Sequence, residues 1–160
     1  MAVEDTFNGA KTALTLLHAY INTVAQGIGM EQALAMDTMM CEAMGAAQGR
    51  MLQAQVGNGE FDAQTAHPLL RSAIEQGFGI LSEVIEESPQ RVVLKIARCP
   101  VFEAAQALGM DAEAIKTSCR ASSIPFMAAM AKQLNPNLSY QLVEFRTSAD
   151  DCCEEAIVLD

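Results

Sequence analysis

"ILSEVIEESPQRVVLKIARCP", residues 80–100, is the stretch that decides the fold. Leu81, Val84 and Ile85 fit a helical step, so one helix through Glu87 is the competing reading. The alternation and β-branching of "ILSEVIEE" argue for a strand instead. "SPQ" at 88–90 is turn-like, and "VVLKIA" at 92–97 is too short and too β-branched for a helix. The stretch therefore predicts a β-hairpin. If Val92, Leu94 and Ile96 face a core, period two carries Arg98 to the same face.

Downstream, Pro100 suits a first helical position, which makes Cys99 the N-cap of a short helix that Gly109 ends. Asp111 caps another helix, with Ile115 and Cys119 on one face. Ser122 or Ser123, with Pro125, starts a third, in which Met127, Met130, Ala131 and Leu134 stand at helical spacing. "NPN" at 135–137 stops it. "LSYQLVEFR" at 138–146 and "CCEEAIVLD" at 152–160 read as two last strands around the polar turn "TSADD".

Upstream, Ala13, Leu16, Leu17, Tyr20, Ile21 and Val24 predict a helix from Asn8 to the glycines at 27 and 29. A second helix runs from Met30 to Val56, with Met36, Met40 and Met44 every four residues and Met51 near that stripe. Alanine and glycine on the contact faces of these two helices predict close packing. "VGNGE" breaks the chain, and a third helix runs from Asp62 or Pro68 to Gln76. The order of helices, hairpin, helices, hairpin predicts an α+β fold. An N-terminal helical hairpin and further helices pack on a small twisted antiparallel sheet of about four strands. No repeat or linker divides the chain, so residues 1–160 form one domain, helical over 1–60 and mixed over 61–160.

Hydrophobic residues make up 51% of the chain and charged residues 19%, which opposes disorder. A formal net charge of -10 opposes a nucleic-acid partner and an anionic membrane surface. No apolar run approaches the ~20 residues of a membrane span. "MAVEDTFNGAK" lacks a signal-peptide pattern, so a soluble, cytoplasmic protein is expected. Five cysteines, an odd number, then read as thiols, metal ligands or core atoms rather than as a disulfide framework. The apolar N-terminal helices predict a homodimer formed through them. No P-loop, dinucleotide fingerprint, nucleophile elbow or HExxH pattern is present.

"ARCP" at 97–100, "TSCR" at 117–120 and "LNPNLSYQLVEFRTSADDCCEEAIVL" at 134–159 together resemble the L-2-amino-thiazoline-4-carboxylic acid hydrolase-like family. They are more distantly similar to the 4-vinyl-reductase-type ligand-binding domain and to the small subunits of the TRAPP complex. The resemblance runs from about Leu70 to Leu159. It implies helices on a twisted antiparallel sheet, usually as dimers. It also implies hydrolytic opening of a cyclic amidine such as 2-aminothiazoline-4-carboxylate. The family's tail is typically a glycine-aspartate turn, a cysteine and a strand. Here Ala149 stands where that glycine is usual, Asp150 follows, Cys153 fits the cysteine, and Cys152 is additional.

The candidate site residues follow from chemistry. A thiol at a helix N-cap sees unpaired amides and the positive dipole end, so Cys99 is a candidate thiolate nucleophile. Cys119 and Cys153 gain a role if they meet Cys99, either in catalysis or as a zinc site. The other reading of all three is buried thiols acting as small hydrophobes. Arg98 and Arg146 are candidate clamps for a substrate carboxylate, against the alternative of ordinary ion pairs. Strand parity places Cys153, Glu155, Ile157 and Leu159 on the inner face, where Glu155 would serve as acid or base. His67, before Pro68, is a weaker candidate. Three functions stay open: a hydrolase on a cyclic amidine, a small-molecule-binding or sensing domain, and a thiol- or metal-handling protein.

Overall fold

The computed structural model describes residues 2–57 and 59–160. Six helices and four strands follow one another as α1 (Val3–Ile28), α2 (Met30–Val56), α3 (Ala63–Phe78), β1 (Ser82–Glu87), β2 (Arg91–Ile96), α4 (Pro100–Ala107), α5 (Ala112–Ala121), α6 (Ser123–Leu134), β3 (Leu138–Glu144) and β4 (Cys153–Leu159). Residues 80–100 do form a hairpin, closed at Ser88–Arg91 by a backbone bond of 2.8 Å from Ser88 to Arg91. The antiparallel sheet has the order β1-β2-β4-β3, so the C-terminal strand inserts beside β2. The fold is α+β, as the element order predicts.

Local chemistry sets the boundaries. The start of α3 is fixed at Asp62 by a capping box. Asp62 Oδ1 accepts from the Thr65 amide at 2.7 Å, and Thr65 Oγ1 accepts from the Asp62 amide at 2.9 Å. Pro68 therefore lies inside α3 and does not begin it. Cys99 caps α4 with Pro100 at the first position, and Asp111 caps α5 through the Ala114 amide at 2.8 Å. α1 begins at Val3, five residues before the expected Asn8, and passes through Gly27. Both edge strands carry a register shift, between Val84 and Glu86 and between Leu142 and Glu144. Such bulges twist an edge away from further pairing.

Val92, Leu94 and Ile157 on the sheet, Leu70 and Ile74 on α3, and Met130, Ala131 and Leu134 on α6 make the main core. Period two fails at Arg98, because β2 ends at Ile96 and Arg98 turns outward. The close helix approach is made by α2 to α6 rather than between α1 and α2. A Cβ on Gly45 would stand 2.1 Å from the Phe126 carbonyl oxygen, and one on Gly49 2.5 Å from that of Met130. α1 packs on α4, α2 and α3, and its contact with α2 is looser than that of α2 with α6. Leu16 and Tyr20 on α1, and Met36, Met39 and Met51 on α2, are exposed. They form the surface where the sequence places a homodimer contact. No helix among the described residues is long and apolar enough to cross a membrane.

The α2–α6 contact gives a direct test. Gly45→Ala is expected to destabilise the protein by about 1–3 kcal/mol through overpacking against backbone. Gly27→Ala, which meets nothing within 4 Å, is expected to stabilise by up to about 0.5–1 kcal/mol through helix propensity. Denaturant midpoints of the two variants check both signs.

Candidate functional site

A cavity of about 170 Å³ lies between α1, α2 and the sheet. Leu14, Leu17 and Ile21 on α1, Met40 and Met44 on α2, Phe78 on α3 and Phe126 and Met127 on α6 form its apolar walls. Ile96, Tyr140 and Glu155 are its floor. The volume is close to the ~150 Å³ of an apolar cavity that admits a benzene ring.

Strand register builds the polar end of the floor. Tyr140 lies opposite Ile157 in the β3–β4 pair, so its ring leans along the same face toward Glu155, two residues away. The Tyr140 hydroxyl donates to Glu155 Oε2 at 2.5 Å. Glu155 keeps some accessible surface, yet it lies deep in the fold, so that surface is cavity wall. Burial raises its carboxyl above the usual range, against opposing pulls from Tyr140 and the charge of Arg146. Burial and the neighbouring Glu155 charge likewise push the Tyr140 phenol well up.

Cys99 and Cys119 line the cavity with Glu155; Cys153 does not. Cys153 is buried outside the cavity wall, its Sγ accepting from Arg146 Nε at 3.4 Å. The helix end does not make Cys99 a thiolate. Burial pushes its thiol up to about 11, outweighing the amides of Phe102 and Val101 that pull it down. Cys99 makes no capping hydrogen bond. Cys119 is pushed well above its usual range by burial, then by the charge of Glu155. Among the described residues, no three His, Cys, Asp or Glu side chains are arranged to hold a metal ion. The residues present do not fit the expected zinc site.

Neither arginine faces the cavity. Arg98 is exposed, paired with Glu4 at 3.0 Å and Glu103 at 3.2 Å, and lies over the Phe7 ring at 4.1 Å. That is the ordinary ion-pair arrangement. Arg146 follows neither sequence reading. Its side chain is buried and its fork donates to the Ala97 and Ile96 carbonyls, both at 2.8 Å, over the Phe102 ring. It ties the end of β2 to the turn before β4. Lys11 is held by Glu103 at 2.9 Å. The cavity wall therefore contains two carboxylates and no cationic side chain other than a histidine.

Sequence reasoning places His18 in a helical run as a partly packed residue ranked below His67, and it passes over Asp37. His18 and Asp37 are both about 4% exposed, both line the cavity, and His18 Nε2 and Asp37 Oδ2 have no hydrogen-bond partner. Burial pushes the His18 imidazole down, with the Val101 backbone pulling it partly back. Burial raises the Asp37 carboxyl, opposed by a 3.7 Å contact from the Cys41 thiol to Oδ1. Cys41 is itself pushed up to about 12 by burial and by Asp37. A signal for Asp37 was present: Ala33, Asp37, Cys41, Gly45 and Gly49 recur every four residues and are the buried stripe of α2. The Met36–Met40–Met44 row is its more exposed neighbour, and Met40 and Met44 of that row still reach the cavity wall. His67 is also buried, its imidazole pushed down by burial, but it lies outside this cavity.

The sequence pattern of the family described as L-2-amino-thiazoline-4-carboxylic acid hydrolase matches residues 9–155, and the chain belongs to that family. The match begins well before Leu70, so it takes in the N-terminal helices as well. No curated protein matches the chain. Among solved structures, the phenol-responsive sensory domain of the transcription activator PoxR, determined with phenol, superposes with a TM-score of 0.67 at 10% identity. The alignment covers 91% of this chain and 74% of that one, and it shows a shared fold.

Two measurements probe the buried acids. Glu155 is raised above its ordinary value of 4.5. Below that pH both the folded and unfolded states are protonated. As pH climbs, the unfolded state ionises first, and stability falls until the folded carboxyl ionises too. Glu155→Gln is expected to flatten part of that fall, read from denaturant midpoints between about pH 4 and pH 7. Asp37→Leu removes an unpaired buried oxygen and is expected to raise ligand-free stability by about 1–3 kcal/mol, read by the same method.

Proposed function

We propose that this member of the L-2-amino-thiazoline-4-carboxylic acid hydrolase family binds one small, uncharged, ring-sized molecule in the cavity between α1 and α2, as a sensing or carrier domain. The observation that carries this reading is the wall itself: apolar on most sides, with Asp37 and Glu155 as its carboxylates and neither Arg98 nor Arg146 facing in. A substrate carboxylate placed there would lose its hydration and meet no counter-charge. The size matches a single ring. The PoxR sensory domain, which shares the fold, responds to phenol, and this supports a ligand of that scale.

The family name supports a second reading, hydrolysis of a cyclic amidine. Glu155 is the residue that favours it, since a raised carboxyl beside Tyr140 is suited to acid–base work at an amidine carbon. Cys99 and Cys119 contribute little to that chemistry as neutral thiols.

Thermal unfolding with added ligands separates the two. Neutral single-ring compounds such as toluene are expected to raise Tm with increasing concentration, and benzoate to leave it unchanged. With 2-aminothiazoline-4-carboxylate, no carbamoyl-cysteine is expected. Turnover that disappears in Glu155→Gln would establish the hydrolase instead.

A further inference from the structure

His18 Nε2 and Asp37 Oδ2 are unpaired polar atoms, one from each long helix, on the wall of one apolar cavity. Leaving such an atom buried costs about 1–3 kcal/mol. A protein that only packed its core would have an apolar residue at each position. The two groups are also complementary to each other. The bond from His18 to the Val101 backbone engages its other ring nitrogen, and burial keeps the ring neutral. Nε2 is then a bare acceptor. Burial raises the Asp37 carboxyl, and in its protonated form that carboxyl has an O–H to donate. A hydroxyl is a small neutral group that can donate to the first and accept from the second.

We infer that His18 and Asp37 form a hydroxyl-recognition subsite, and that the ligand is a hydroxylated single ring seated between α1 and α2. The inference rests on the cavity reading above and adds the polar group that the cavity selects. Its oxygen–hydrogen bond donates to His18 Nε2, and its oxygen accepts from Asp37. The ring lies against Leu17, Met40 and Phe126, and the bound molecule ties the two helices together. Glu155 differs in that it is not among the unpartnered buried groups, its Oε2 accepting from Tyr140.

The test compares phenol with toluene, which has the same shape and no hydroxyl. Dissociation constants for both are measured in the wild-type protein, His18→Leu and Asp37→Leu. Each substitution is expected to weaken phenol at least about fivefold and to leave toluene within about twofold. Retained toluene binding shows that the variant is folded. An unchanged phenol affinity in both variants, or equal weakening of phenol and toluene, overturns the subsite and leaves the cavity reading standing. Failure of both probes to bind the wild-type protein overturns the cavity reading itself. A variant that loses both ligands is set aside for the wild-type readout. There, phenol is expected to shift the His18 Nε2 nitrogen resonance and toluene is not; equal shifts overturn the subsite.

Discussion

The contact that the rest of the structure depends on is the seat of α2 on α6. Gly45 and Gly49 let the two backbones approach to a distance that any side chain would forbid. This commits α2 to α6, while α1 packs on α4, α2 and α3. The long helices turn back at Gly29, and a cavity lined by both lies between them. The sheet closes it from below because β4 inserts beside β2 and carries Glu155 to the inner face.

Electrostatics then decides what this space accepts. Desolvation wins over every local favourable term: Cys99 stays a thiol despite its helix end, and Glu155 stays raised despite Tyr140 and Arg146. Arg146 acts from behind the wall. Its charge reaches Glu155, but its hydrogen bonds go to backbone carbonyls and to Cys153, so it has become part of the frame. The outcome is a mostly apolar interior with polar groups from two pairs, His18 with Asp37 and Tyr140 with Glu155. Unpaired groups at one of them cost stability in the empty protein, a common feature of binding sites.

Much of the fold was legible because its signals are local. The hairpin at 80–100 follows from β-branching and a turn, and the α4 start from Cys99 and Pro100. The parity of β4 follows from its alternation, which correctly set Cys153, Glu155 and Ile157 on one face. The errors have physical causes. Parity carried to Arg98 failed because a strand period ends with the strand. The methionine row drew attention away from the buried stripe beside it, since small residues give a weak hydrophobic signal. The site was legible only in part. Cys99, Cys119 and Glu155 do share one wall, but helix packing, which no local pattern encodes, supplied His18 and Asp37 and excluded both arginines.

Methyl resonances of the methionines test the central claim most directly, because these residues sample both sides of α2. On titration with phenol, Met40, Met44 and Met127 line the cavity and are expected to shift together along one saturable curve. Met39 and Met51, exposed on the outer surface, are expected to stay in place. Shifts confined to the outer methionines, or no saturable shift at Met127, would contradict a ring bound between α1 and α2.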